Sequence, residues 1–186
     1  MTFDSQEQRR IMGLFATGVT VVSTQHEQQT WGMTANAVIS LSLDPPLLLV
    51  AVQKESQTHA QLKAAGCFAV NILTADQEEL SNRFAFKGPK DFSGLDFTTD
   101  VTGSPIIPDT LGYVDCQLKE ILPAGDHDIF IGEIVGGGGT GEGTPLLFYQ
   151  GQQTLLGHMR IFQFCRLARC HQLMCFLLYH ALLKHY

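Results

Sequence analysis

The sequence predicts a mainly β fold with short helices, an antiparallel sheet closed into a barrel with the helices on its rim. Three observations predict it. Apolar and β-branched runs of strand length recur up to Gln150, and the helical patterns between them are short and few. A sheet of about six or seven strands also loses its exposed edges by closing. With 186 residues, 45% hydrophobic and 16% charged, the chain can build one sizeable core. A domain of this length buries roughly 70% of its unfolded surface, so its folding requires neither disulfides nor a structural metal.

The elements follow in order. Asp4 with Glu7 fits a capping box, and Ile11, Leu14 and Phe15 recur at helical spacing up to Gly18, which predicts an opening helix. Val19 to Thr24 reads as a strand, His26 to Thr30 as a polar connection, and Met33 to Ser42 as the paired strand. Asp44-Pro45-Pro46 breaks the chain, because proline donates nothing to a ladder, and Leu47 to Val52 then runs apolar as a buried strand does. Thr58 with Gln61 opens a second helix that Gly66 closes, where a left-handed cap is commonly needed. Phe68 to Leu73 is another strand. Thr74 with Gln77 opens a third helix through Leu80 and Phe84, ending before Gly88-Pro89. Val114 to Leu122, Ile129 to Val135 and Pro145 to Gln150 complete the strands.

Charge and cysteine usage divide the chain. Residues 1–156 hold 8 Lys and Arg against all 18 Asp and Glu, whereas residues 157–186 hold 4 basic residues and no acidic one. The formal net charge of -6 argues against nucleic acid as a partner, since no basic surface dominates. Cys67 and Cys116 are isolated in apolar stretches, while Cys165, Cys170 and Cys175 crowd the tail. An odd count without a secretory leader suggests reduced thiols. No window is long and apolar enough for a transmembrane segment, and the expected location is cytoplasmic.

The motifs exclude several chemistries. There is no nucleophile elbow, no phosphate loop ending in Lys-Ser/Thr and no His-Glu-x-x-His. Gly136 to Gly139 lacks the spacing of a dinucleotide fingerprint and reads better as a hairpin connection. More informative are Gly32-Met33-Thr34-Ala35-Asn36-Ala37, Ser40-Leu41-Ser42 and Lys54-Glu55-Ser56-Gln57-Thr58. The first sets hydroxyls and an amide among small residues, where a flat ligand can approach the backbone. The third precedes a predicted helix whose first N–H groups and dipole favour a phosphate. Against this stand plainer roles: Thr34 and Asn36 decorating a strand, Thr58 capping a helix.

Taken together and in order, Phe15-Ala16-Thr17-Gly18-Val19-Thr20-Val21-Val22, Gly32 to Asn36, Ser40-Leu41-Ser42-Leu43-Asp44-Pro45-Pro46-Leu47, Phe68-Ala69-Val70-Asn71-Ile72-Leu73 and Gly125-Asp126-His127 resemble the flavin reductase family of FMN-binding split barrels. The resemblance covers residues 8 to 156. It implies an antiparallel split β-barrel of the FMN-binding type that reduces FMN or FAD with NADH or NADPH and supplies the reduced flavin to a separate monooxygenase component. It also implies a homodimer. An FMN-binding electron carrier or redox sensor without reductase turnover is the alternative. Carried over by motif, Thr34, Ala35 and Asn36 would hold the ribityl and phosphate portion, with the Ser40, Leu41 and Ser42 backbone bordering the isoalloxazine. Lys54, Ser56 and Thr58 would lie at the phosphate, and Arg83 and Phe84 along the flavin or nicotinamide edge. His127 would face the nicotinamide as the catalytic residue, binding its carboxamide, stabilising charge or donating a proton. Its plainer role is a polar turn residue.

Other marked residues have structural explanations. Phe86, Phe92 and Phe97 suit packing, and Arg83 could balance Glu79 one turn earlier. The resemblance stops at Gly157. Residues 157–186 form a basic, Cys-containing extension with helical propensity and a broad apolar stripe. The spacing of Cys165, Cys170, His171 and Cys175 is not that of a paired zinc site. A basic arm on an anionic membrane is one option for this segment, and a lineage-specific or artefactual extension that packs across a dimer or stays poorly ordered is the favoured one.

Overall fold

A computed structural model of the chain describes residues 3–86, 90 and 92–154. These belong to one compact unit, Met1–Leu156, and the expectations placed on residues 157–186 lie outside the described residues.

Asp4 caps the first helix, α1 (Ser5–Met12), by accepting a bond from the Gln6 N–H. Glu7 does not complete a capping box: its carboxylate accepts two bonds from the Arg10 guanidinium at 2.7 Å. No residue of α1 is buried, so Ile11 marks no core contact. Next come β1 (Thr17–Gly18), β2 (Thr20–His26) and β3 (Gln29–Ala35). The connection expected at His26 to Thr30 shrinks to Glu27 and Gln28, with φ of 48° and 65°, the two-residue turn whose twist matches a hairpin.

The single strand expected over Met33 to Ser42 is two. β3 ends at Ala35 and β4 (Val38–Leu43) begins after Asn36 and Ala37. β5 (Pro46–Gln53) leads to α2 (Gln57–Ala65), and β6 (Cys67–Ile72) follows. Ser56, not Thr58, caps α2, and Gly66 closes it at φ 67°. A 3-10 turn at Ala75–Gln77 enters α3 (Glu78–Ala85), with the Gln77 amide oxygen accepting the Thr74 N–H. β7 (Thr98–Thr99) and β8 (Pro105–Ile106) form a small ladder. β9 (Gly112–Ala124) and β10 (His127–Gly138) make the long hairpin. β11 (Leu147–Tyr149) and β12 (Gln152–Thr154) join β1 in a second sheet. Gly136 to Gly138, expected in a connection, extend β10 and pair with Asp115 to Tyr113.

The main sheet runs β3-β2-β6-β9-β10-β5-β4, entirely antiparallel. The closed barrel expected from strand number is therefore corrected. Among the described residues β3 and β4 share no ladder, so the sheet is open along that seam. Yet these opposite edges are consecutive in the chain, joined only by Asn36 and Ala37. Two residues cannot bridge a flat seven-stranded sheet at about 4.8 Å per strand, so the sheet curls until its edges approach at that corner.

Inside the curl lies a core of Val22, Val50, Phe68, Cys116 and Phe130, sealed by Leu62 of α2. A second cluster, with Val19, Val21, Leu73, Phe84, Phe92 and Leu146, covers the outer face of β2. β2 is thus buried on both faces from Thr20 to Thr24, and its hydroxyls there donate to the Ala35, Pro105 and Cys67 carbonyls. The packing there is close. A Cβ on Gly32 would sit 2.6 Å from the Phe84 ring and 3.1 Å from that of Phe92, so the glycine lets this aromatic pair, its centroids 5.0 Å apart, pack close against β3.

Candidate active site

The seam at Asn36 and Ala37 opens into a cavity of about 540 Å³, within the roughly 300–1,000 Å³ typical of small-molecule sites. Its floor is the edge of β3 with its corner, Met33 to Ala37. One wall is the end of β5 and the start of α2, from Gln53 through Ser56 and Gln57. The opposite wall is Phe84 to Phe86 with Lys90, and His127 stands at the rim. The walls are local consequences of sequence. Ser56 ends the extended stretch after β5 by accepting the Thr58 N–H at 3.2 Å, which aims the first turn of α2 at the cavity. The His59 N–H donates to the Ser56 carbonyl at 3.1 Å and the Ser56 N–H to the Gln53 carbonyl at 3.0 Å, so the Gln57 N–H and the positive end of the helix dipole are what this turn offers an anion. Ala35, Ala37 and Ala51 keep the floor low.

His127 opens β10 after the tight turn at Gly125, where φ is 68°. Its Nδ1 lies 2.8 Å from Asp126 Oδ1. A carboxylate only accepts, so Nδ1 carries the hydrogen and Nε2 is left to meet a ligand, as acceptor when neutral and donor when protonated. The contact also holds the Asp126 carboxyl below its usual range. Lys90 lines the opposite wall and donates to the carbonyls of Phe84 and Phe86. Burial pushes its ammonium pKa down, since desolvation disfavours the charged form. Glu55 adds a carboxylate to the lining, so the polar groups are mixed in sign.

Of the residues singled out from sequence, Thr34, Ala35, Asn36, Ser56, Phe84 and His127 come together around the cavity although they span almost a hundred positions. The others lie elsewhere. Ser40, Leu41 and Ser42 run along β4 beyond the lining. Thr58 is buried and donates its hydroxyl to the Gly32 carbonyl at 3.2 Å, pinning α2 to β3. Lys54 turns from the cavity: its Nζ donates to the Gly125 carbonyl at 2.7 Å and lies 3.4 Å from Asp128 Oδ1. Arg83 donates to the Ser93 carbonyl at 2.7 Å, 5.9 Å from the centre of the Phe84 ring. Even Thr34 divides its duties, because its hydroxyl donates to the Ser81 carbonyl at 2.6 Å.

Sequence reasoning missed Gln53, Gln57, Phe86 and Lys90 as lining residues. Gln57 lies inside the marked Lys54-to-Thr58 stretch and Gln53 just before it, so both were within reach of the helix-start argument. Lys90 carried no signal. Phe86 was marked as packing, yet it is exposed and lines the cavity. No cluster of His, Cys, Asp and Glu suited to a metal occurs among the described residues, and no helix among them is long and apolar enough to cross a membrane.

Comparison with known proteins places these features in context. The model of the flavin reductase like domain matches residues 12–157. Over 148 residues the chain is 40% identical to the FMN reductase (NADH) SmoA of Agrobacterium fabrum, covering 80% of this chain and 84% of that protein. It is 36% identical over 151 residues to the reductase subunit HsaB of a flavin-dependent monooxygenase from Rhodococcus jostii, covering 81% and 77%. The solved structure of the NADH:FAD oxidoreductase SgcE6 of Streptomyces globisporus C-1027, in complex with NAD and FAD fragments, superposes with a TM-score of 0.76 at 34% identity, covering 83% of this chain and 95% of that one.

Proposed function

Because the chain belongs to the flavin reductase like family, we propose that it catalyses the NAD(P)H-dependent reduction of FMN or FAD and supplies the reduced flavin to a separate monooxygenase component. The observation that carries this reading is the convergence on one cavity of a low strand edge, a helix start and an imidazole. That set fits a flavin nucleotide: a flat ring over Ala35 and Ala37, a phosphate at the first turn of α2, and one face left toward His127. NADH is favoured as the donor by the relatives named as NADH enzymes, and those relatives include both FMN and FAD reductases.

When bound, the flavin supplies the electron sink, accepting a hydride from the dihydronicotinamide, which leaves oxidised. The chain's own work is positional. Ser56 and the Gln57 N–H, at the start of α2, hold the phosphate. Thr34 and Asn36 hydrogen-bond the polar chain between phosphate and ring, and Phe84 and Phe86 wall the ring from water. His127 Nε2 orients the nicotinamide amide, with Nδ1 donating to Asp126, which favours one orientation of the imidazole.

We read the active form as a split-barrel homodimer. The seam between β3 and β4 is the split, and β4 offers an unpaired edge with Ile39, Leu41 and Leu43 exposed at 57%, 45% and 79%. Such an apolar edge strand is a liability unless a second copy covers it. Free Cys67 and Cys116 suit a reducing, cytoplasmic setting.

The test is to follow nicotinamide oxidation after mixing purified protein with NADH or NADPH and either FMN or FAD. Turnover with a flavin is the expected result. Tight flavin binding with no nicotinamide oxidation would sink the reductase reading and leave an electron carrier or redox sensor.

A further inference from the structure

Resting on that reading of the cavity, the geometry points to Asp128 as a positioning residue: held between Lys54 and His59, it fixes the hairpin turn that carries His127 opposite the first turn of α2. His127 and Asp128 are neighbours on β10, so their side chains leave the strand on opposite faces. His127 faces the cavity. Asp128 shares the inward face with Phe130, which is buried in the core. A carboxylate at the rim of a hydrophobic core is costly unless its oxygens are occupied.

Both are. Oδ2 accepts from His59 Nε2 at 2.8 Å, and Oδ1 lies 3.4 Å from Lys54 Nζ. His59 is 14% exposed and Asp128 15%, so water screens this pair far less than the surface pair of His127 and Asp126. The His59 ring stands edge-on to Phe130 at 5.2 Å, which leaves the imidazole little freedom to follow a displaced partner.

Lys54 completes the clamp. Its backbone N–H donates to the Asp126 carbonyl at 3.1 Å and its ammonium to the Gly125 carbonyl at 2.7 Å. The turn before His127 is therefore strapped to the end of β5, and Asp128 holds the lysine that straps it. The helix side is anchored independently, by Thr58 to the Gly32 carbonyl and by Leu62 in the core. Loosening the clamp thus moves His127 and leaves the phosphate end of the cavity in place. The charged and titratable groups facing Asp128 are Lys54 from the loop and His59 from α2; Asp126 and His127 belong to its own hairpin and pair with each other, His127 on the opposite face of the strand.

The experiment compares wild type with Asp128→Asn, Lys54→Met, His59→Leu and His59→Gln, reading kcat/KM for NADH at saturating FMN, the FMN Kd without nicotinamide, and Tm. The expected result is a fall of about tenfold in kcat/KM for NADH in the first three, because small misplacements of a positioning group cost rate steeply. FMN Kd stays within about twofold, and His59→Gln, which keeps an N–H donor, recovers most of the loss. The Lys54→Met effect should not add to that of Asp128→Asn in the double variant, since both act through one clamp. Folded Asp128→Asn and Lys54→Met proteins with wild-type kcat/KM overturn the proposal. So does a Lys54→Met protein that loses FMN affinity instead, which would make the lysine a phosphate ligand. So, too, does a joint fall of FMN affinity and Tm across the set, the mark of a merely structural role. A wild type that binds FMN but never oxidises NADH overturns the reductase reading, and this inference with it. An active wild type with indifferent variants overturns the clamp alone.

Discussion

Asp128 has both carboxylate oxygens engaged, Oδ2 by the His59 imidazole at 2.8 Å and Oδ1 by the Lys54 ammonium at 3.4 Å. Its place after Gly125-Asp126-His127 marks a functional turn, but its partners lie some seventy positions away at Lys54 and His59. The hydrogen bond from His59 holds the Asp128 carboxyl below its usual range, with Lys54 adding to the effect. The sign of the pH dependence follows. A carboxyl whose pKa is lowered by folding stabilises the protein fully above the ordinary carboxylate value of about 4, and that contribution is lost as the pH falls through the lower, folded value. Wild type should therefore melt above Asp128→Asn at neutral pH, and the gap in Tm should close under acid. A gap that widened as the pH fell would contradict the assignment.

At the scale of elements, α2 links stability to the site through its cap. Ser56 accepts the Thr58 N–H and also lines the cavity. Ser56→Ala should cost about 1 kcal/mol of stability by denaturant unfolding and weaken flavin affinity as well. The buried Thr58→Val should cost stability with a smaller effect on affinity. Equal losses of affinity in the two variants would show that the cap acts only by holding the helix. The same helix shows where local patterns mislead. Ser56 and Thr58 are both good cap residues two positions apart, and only the hydroxyl bond from Thr58 to the Gly32 carbonyl, across 26 residues, settles which one is free to cap. The long hairpin was underread for a related reason: Gly136 to Gly138 have the composition of a loop but are held in β10 by the ladder with β9.

For the whole molecule, the decisive feature is the seam. Its apolar edge strand predicts that Leu41→Lys, alone or with Leu43→Lys, shifts the protein from dimer to monomer in sedimentation, with little loss of the isolated fold, because both side chains are exposed in the single chain. Wild type that sediments as a monomer at micromolar concentration would refute the dimer. The sequence by itself determined the three helices, the strands β2, β5, β6, β9, β10 and β11, the αL cap at Gly66 and most of the stretches from which the site is built, because turn chemistry, capping and apolar period are written within a few residues. Tertiary structure alone decided that Asn36 and Ala37 open the seam, that Lys54 and Thr58 face away from the cavity, and that Gln53, Gln57 and Lys90 face into it. The direction a polar side chain takes depends on which distant partner satisfies it, and no local pattern encodes that partner.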